Sequence, residues 1–238
     1  GSESRPFYVG KQLIESQALG ESTEQILEKS DCFTKRQKKQ LEIIDRYSDV
    51  VVENPMSGFL HSKNYINFFC MGFPSSVDMP FIRKSNGIPV IVHAPSNSMI
   101  KGTMEIEQAL DKLKKKNYKF KYIPLIGVSH KEVMRNLFGA DIVIDELYSD
   151  TSLAGLGSEA ATMSCSVIVG GYGWHELSQM SPDEFIAPSI KVTKQTLLDT
   201  LIELLENPNI FKQNGKDLYE FISQQWGCKI VAQRYIRL

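Results

Sequence analysis

A chain of 238 residues with 42% hydrophobic content is long enough to bury a core, as one large domain or as one domain plus part of another. Lys and Arg number 27 against 28 Asp and Glu, a net charge of −1, which argues against wholesale nucleic-acid binding and leaves room only for a local basic patch. The four cysteines, Cys32, Cys70, Cys165 and Cys228, are scattered without a CxxC pair, so reduced thiols in a cytoplasmic protein are expected rather than a disulfide framework or a structural zinc site.

Residues 1–35 are mixed and polar, with short helical stretches over 10–18 and 23–29. A helix is predicted over 36–47, with Leu41, Ile43 and Ile44 on one side, followed by a strand over 50–52. Residues 53–86 hold Asn54-Pro55, Gly58, Gly72-Phe73-Pro74, Pro80 and a second apolar patch over 66–71. They show no helix–strand rhythm and read as the end of one domain running into a linker. No apolar run approaches the ~20 residues that cross a bilayer, and the opening residues carry no basic-then-apolar signal.

From residue 87 the rhythm is regular. A strand over 88–92 leads to a helix over 103–116, in which Ile106, Ala109, Leu110 and Leu113 fall on one face. A strand over 118–126 leads to a helix over 129–139 with Ser129 as its N-cap. Strand 142–144 leads to helix 157–164, strand 166–169 ends at Gly170-Gly171, and a short strand near Ile190 precedes helices over 193–206, 208–224 and 226–237. Alternation at this spacing predicts an α/β fold: a Rossmann-like parallel sheet with helices on both faces.

The loops at the carboxyl ends of the strands carry the candidate chemistry, because ligands of open α/β sheets bind there. After strand 88–92 come His93, Ser96, Asn97 and Lys101; an ammonium beside a phosphate forms strong charge-assisted hydrogen bonds. A second strand-to-helix turn holds Gly155, Gly157, Ser158 and Glu159. Its glycines let backbone amides approach a diphosphate, the Ser158 hydroxyl adds a donor, and Glu159 suits two ribose hydroxyls. Gly127 and Val128 end a third strand and would border a base. His93 faces the same crevice, where a structural hydrogen-bonder is the commoner role for a lone histidine, and His61, His130 and His175 share no metal-ligand spacing with it. Asp145, Glu146 and Asp150 stand at the mouth of the sheet, as solvated charges or as partners for hydroxyls or a metal, and the segment 170–176 reads as a cover or an irregular loop. Lys112, Lys114, Lys115, Lys116, Lys119 and Lys121 form a basic run; four of them close a helix and complement its dipole, and an anionic membrane can use the same patch.

The segments HAPSNSMIKGT, GVSHKEVMRNLFGADIVIDEL, GLGSEAATMSCSVIVGG and QQWGCKIVAQRYIRL together resemble the C-terminal, donor-binding half of GT-B glycosyltransferases, specifically retaining family 4. The likeness covers residues 87–238, about two thirds of the chain, and residues 1–86 resemble the end of that family's N-terminal acceptor domain and its linker. The resemblance implies a hexosyltransferase of polysaccharide biosynthesis that moves a sugar from a UDP- or GDP-sugar to a glycan or lipid-linked acceptor. It implies retained configuration and needs neither metal nor cofactor. It places such an enzyme in the cytoplasm, with peripheral contact at the inner face of a membrane. Lys101 matches the lysine that neutralises the diphosphate, and Glu159 the second glutamate of the E-x7-E signature, which holds the ribose.

Three positions depart from that pattern. Thr151 stands where the first glutamate would touch the donor sugar, which with His93 makes the pair of candidate sugar contacts. Ser96 replaces the arginine usual five residues before the lysine, and Ala94-Pro95 the glycine before it. These losses keep a second reading open, a degenerate GT-B module that binds a nucleotide or a partner protein without catalysis. With most of an acceptor domain absent, the chain is expected to be inactive alone.

Overall fold

The structure, a computed structural model, describes Lys35 and residues 38–53, 66–67, 72–74, 87–148, 151–170 and 186–238. The expected helices over 10–18 and 23–29, the segment 171–176, and Cys32, Cys70, His61, His175 and Asp150 lie outside the described residues. The chain divides into two compact units, one of residues 1–71 with 173–186 and one of 72–172 with 187–238. In the first, helix α1 over 38–47 buries Leu41 and Asp45, four residues apart on one face. Its end is met by the Ser48 hydroxyl, which donates to the Ile44 carbonyl at 2.7 Å. Strand β1 (Val52–Glu53) then pairs in parallel with β2 (Ile66–Asn67), a strand drawn from the second apolar patch.

The second unit is built on five parallel strands: β3 (Val90–His93), β4 (Lys121–Pro124), β5 (Ile142–Glu146), β6 (Ser166–Gly170) and β7 (Ile190–Val192). They lie in the order β4-β3-β5-β6-β7. β5 and β6 have neighbours on both edges and read as unbroken apolar runs, Ile142-Val143-Ile144 and Val167-Ile168-Val169, all fully buried. Between the strands run α2 (Ser98–Lys101), α3 (Thr103–Lys115), α4 (His130–Leu137) and α5 (Gly155–Ala161), with α6 (Leu197–Glu206), α7 (Pro208–Phe221) and α8 (Cys228–Ile236) closing the chain. Crossovers between parallel strands of one sheet are right-handed in about 98% of cases. The step from β3 to β4 runs opposite to the later steps towards β7, so α3 lies on one face and α4 and α5 on the other. The contacts agree: α6 packs on α3, while α4 packs on α5 and α7 packs on β6 and α5. The fold is a Rossmann-like parallel sheet flanked by helices.

The apolar stripe of α3 is as spaced, with Ile106, Ala109, Leu110 and Leu113 buried. Ser129 caps α4, its side chain accepting the Glu132 amide at 3.3 Å. Several boundaries move. β3 starts at Val90 and extends to His93, and β4 is confined to Lys121–Pro124 because it is an edge strand with one partner. The predicted loop before α3 contains the helical turn α2, set off from α3 by Gly102 at φ +73°. α5 begins at Gly155, so the second glycine loop is its first turn. α7 does not reach 224 as an α-helix: a π-helical turn (Ile222–Trp226) follows it, and Trp226 is buried edge-on against Phe221 at 5.0 Å. Gly215 lets α7 lie on the chain before β6, since a Cβ there would stand 2.2 Å from the Ser164 carbonyl oxygen. Buried Asn214 ties the same helix down, accepting from the Ser166 hydroxyl at 2.7 Å and the Val167 amide at 3.3 Å. Among the described residues no helix is long and apolar enough to cross a membrane.

Candidate functional site

The strand order reverses direction at β3, so the connections leaving β3 and β5 depart to opposite faces and open a crevice between their carboxyl ends. This is the topological switch point, the place where such sheets bind ligands. Lys101 comes to it from the β3 side and the Gly155–Glu159 turn from the β5 side. Two of the segments singled out by sequence therefore flank one crevice.

A β-bulge shapes its floor. β5 pairs Ile144 with Ile168 and then Glu146 with Val169, so Asp145 is the extra residue in the ladder. Adjacent strand residues ordinarily point to opposite faces, and a bulge re-aims them. Here both carboxylates reach one ammonium. Lys101 Nζ lies 3.4 Å from Asp145 Oδ1 and is also bonded to Glu146 Oε2. Burial of the lysine disfavours its charge, but the charges of Asp145 and Glu146 outweigh that and hold its pKa above the ordinary value. Asp145 is fully buried, and burial in turn pushes its carboxyl above the usual carboxylate range, against the pull of Lys101. Its other oxygen, Oδ2, accepts the Gly157 amide at 2.8 Å. A Cβ on Gly157 would stand 2.8 Å from that same oxygen, 2.9 Å from Leu153 Cδ1 and 3.0 Å from Val167 Cγ1, so glycine is what admits the carboxylate.

On the far side of α5, Glu159 Oε1 lies 2.7 Å from His130 Nε2. This pair links the first turn of α4 to α5 and brings Glu159 beside the loop of Gly127, Val128 and Ser129. Gly127 has φ +68° with nothing within 4 Å of a built Cβ, and Gly155 is equally open. Ser96 is exposed beyond β3, and Thr151 is half-buried ahead of α5.

Two expected contacts turn inward. His93 does not present its ring to the crevice: it is 0% exposed, Nδ1 lies 2.7 Å from the Ile144 carbonyl oxygen and Nε2 2.9 Å from Thr103 Oγ1. Both ring nitrogens are taken, which leaves none for a sugar. Burial lowers its pKa against the opposing hydrogen bond to Ile144, and the nearby Lys101 charge adds to the lowering. Ser158 is likewise buried, its hydroxyl donating to the Ala154 carbonyl at 2.8 Å rather than towards a phosphate. The pairing of Lys101 with Asp145 and Glu146 was missing from the sequence reading. Its only trace there was two acids closing an apolar strand. Among the described residues no cluster of three or more His, Cys, Asp or Glu is arranged to hold a metal.

Neither a protein-family model nor a curated protein sequence matches the chain. Solved structures do. Anabaena Alr3699/HepE in complex with UDP superposes with TM-score 0.59 at 12% identity over 84% of this chain and 67% of that one, and its complex with UDP-glucose gives the same values. S. aureus TarM superposes with TM-score 0.53 at 11% identity, over 85% of this chain and 45% of that one. The neighbours are GT-B glycosyltransferases, and at these identities the likeness shows this chain's fold, a Rossmann-like parallel sheet with helices, and nothing finer.

Proposed function

We propose that this chain is the nucleotide-sugar-binding part of a glycosyltransferase. One observation carries the reading: a lysine ion-paired with two acids at the switch-point crevice of the parallel sheet, with a carboxylate of α5 hydrogen-bonded to a histidine. Lys101 would neutralise the donor diphosphate, with Ser96 and the Gly155–Ser158 turn beside it. Glu159 would hold the ribose hydroxyls, and Gly127 and Val128 would border the base. Glu159 cannot hold a phosphate oxygen but accepts hydroxyl hydrogens well. HepE, crystallised with UDP and with UDP-glucose, supports this class of donor for the fold. Transfer goes to a glycan or lipid-linked acceptor with retained configuration, without a metal, on the cytoplasmic side of a membrane that the protein touches peripherally. The leaving diphosphate needs only fixed positive charge and hydrogen bonds, which Lys101 supplies in part.

Calorimetric titration with UDP, GDP, ADP and their sugar conjugates tests this, on wild type and on Lys101→Ala. Binding of one diphosphate, lost in the variant, is the expected outcome. No binding by wild type overturns it. With a longer chain that turns over, product configuration tests retention, and an inverted product defeats that part.

A second reading, a non-catalytic GT-B module, is favoured by one specific relationship. Asp145 already satisfies both Lys101 and the Gly157 amide, the groups a diphosphate would use, and Thr151 stands in place of a glutamate. Nucleotide binding without turnover in the longer chain would select it.

A further inference from the structure

The crevice holds one buried-side cation among carboxylates, and the role of the fully buried Asp145 is not explained by the donor contacts above. The bulge at Asp145 breaks the strand's alternation one residue before β5 ends, so the carboxylate turns in beneath the crevice. There it spans two elements from opposite sides of the switch point, Lys101 of α2 and the Gly157 amide of α5. The lysine's position is fixed from its backbone as well, since its carbonyl accepts the Leu147 amide at 3.1 Å, just past the same bulge. Gly102 then leaves α2 in the left-handed conformation, with no room for a Cβ: one there would meet Leu147 Cβ at 2.8 Å. The chain has therefore shaped two glycines and a bulge around one carboxylate and one ammonium.

We propose that Asp145 is a positioning residue for Lys101: it keeps the ammonium charged and aimed at the switch-point crevice, where the phosphates of a nucleoside diphosphate take it up. This rests on the donor-site reading above, but its core is a statement about Lys101 that is measurable without a nucleotide. A lysine with most of its side chain out of water loses its proton readily unless a carboxylate holds the charge. Glu146 shares the ammonium from the rim, at 15% side-chain exposure, whereas Asp145 does so at 0%. Asp145 is thus the less screened partner, and the one that also sets the position of α5. Asp145→Asn is the informative change. Its amide oxygen can still accept from Gly157, so the α5 contact is kept, while the charge facing Lys101 is removed.

The experiment has two arms on the full chain. In the first, trace acetylation by acetic anhydride is followed by peptide mass spectrometry, with exposed Lys114 as the internal reference. Only the neutral amine reacts. In wild type Lys101 should react more slowly than Lys114 between pH 7 and 9, and in D145N its rate relative to Lys114 should rise by roughly tenfold. In the second, UDP, GDP and ADP are titrated by calorimetry. D145N should bind the preferred diphosphate roughly 10–100-fold more weakly, the scale of one charge-assisted hydrogen bond. The loss should deepen as pH rises from 7 to 9. D145N/K101R should abolish that pH dependence, because a guanidinium keeps its charge.

Equal acetylation of Lys101 and Lys114 in wild type overturns the proposal without recourse to any variant. So does a D145N protein with unchanged or tighter diphosphate binding, which would make Asp145 a competitor for the lysine. If wild type binds no nucleotide while the acetylation contrast is as expected, the donor-site reading fails and the positioning of Lys101 by Asp145 stands.

Discussion

His93 and Thr103 meet 2.9 Å apart in the protein interior, ring nitrogen to hydroxyl, and the other ring nitrogen lies 2.7 Å from the Ile144 carbonyl oxygen. One imidazole thereby joins the end of β3, the start of α3 and the last regular residue of β5 before the bulge. The pH dependence follows. The folded-state pKa of His93 lies below its ordinary 6.5, chiefly through burial, so the native state binds fewer protons than the unfolded chain in the window beneath that value. Stability is complete above pH 6.5 and is lost as pH falls towards the lowered pKa. Urea midpoints of wild type should decline from pH 7 to 5. His93→Phe should lose part of that decline while being less stable at pH 7 by about 2–4 kcal/mol, because the Ile144 carbonyl and Thr103 hydroxyl are left buried and unpaired.

The glycines separate into two classes. Gly155→Ala should be tolerated within about 1 kcal/mol, because nothing stands within 4 Å of its Cβ and alanine suits a helix better. Gly102→Ala should be destabilising by more than about 2 kcal/mol, from the left-handed backbone at φ +73° together with the Leu147 overlap. Gly215→Ala should be worse still, since the added Cβ would stand 2.2 Å from the Ser164 carbonyl oxygen, a backbone atom that cannot swing aside as a side chain can. Thermal melts of the three variants give the ranking directly. An equal response would mean that the chain relaxes around these contacts.

The alternation of apolar runs and amphipathic stretches places all five strands of the second unit, most plainly β5 and β6, whose short apolar runs are fully buried and alternate with amphipathic helices. Ser129 was legible as a cap because capping depends on the few residues around it. What sequence did not carry was relational. Nothing in Asp145-Glu146 shows a bulge, since a bulge exists only against the register of β6. His93 reads as a crevice residue from its place at a strand end, and only the packing of Thr103 and Ile144 around it turns the ring inward. The hydroxyl of Ser158 is another case: helix formation from Gly155 places the Ala154 carbonyl one turn back, within its reach. Lys101 was found as a candidate, but its two acids come from a strand more than forty residues on, which local pattern does not reveal.

Glu159 and His130 make a prediction that separates affinity from stability. His130 is 71% exposed, so breaking its contact with Glu159 should change stability by no more than about 1 kcal/mol. If Glu159 holds a ribose, Glu159→Ala should weaken the preferred nucleoside diphosphate roughly 10–100-fold, and His130→Ala should weaken it less, by freeing the carboxylate's orientation. The 2′,3′-dideoxy nucleotide should bind wild type and Glu159→Ala alike, for it lacks the hydroxyls that the carboxylate would accept. A dideoxy nucleotide that still loses affinity in the variant would remove Glu159 from the ribose contact.

Lys101→Met tests the ion cluster at both ends of the pH scale. The folded-state pKa of Lys101 is raised, so the native state holds its proton more tightly than the unfolded chain does. The resulting stability is present below the unfolded value of about 10.4 and is lost as pH rises through the folded one. Asp145 follows the same sign in a lower window: its raised pKa means that stability falls as pH climbs from the ordinary carboxylate value of 3.8 towards the folded one, and Lys101 offsets part of that fall. Removing the lysine leaves the buried carboxylate with no cation. The difference between wild type and Lys101→Met should therefore be smallest well below pH 3.8, where the Asp145 carboxyl is protonated in the unfolded chain as well as in the folded one. It should reach about 3 kcal/mol at pH 7, the lower end of what removing one partner of a buried pair costs. It should shrink again above pH 10.5, where the unfolded chain gives up the Lys101 proton before the folded one does. Denaturant titrations across that range measure the profile. A difference that is flat with pH would show that the methionine change acts through packing alone, and that the charge on Lys101 contributes nothing to holding β3 and β5 together at the crevice.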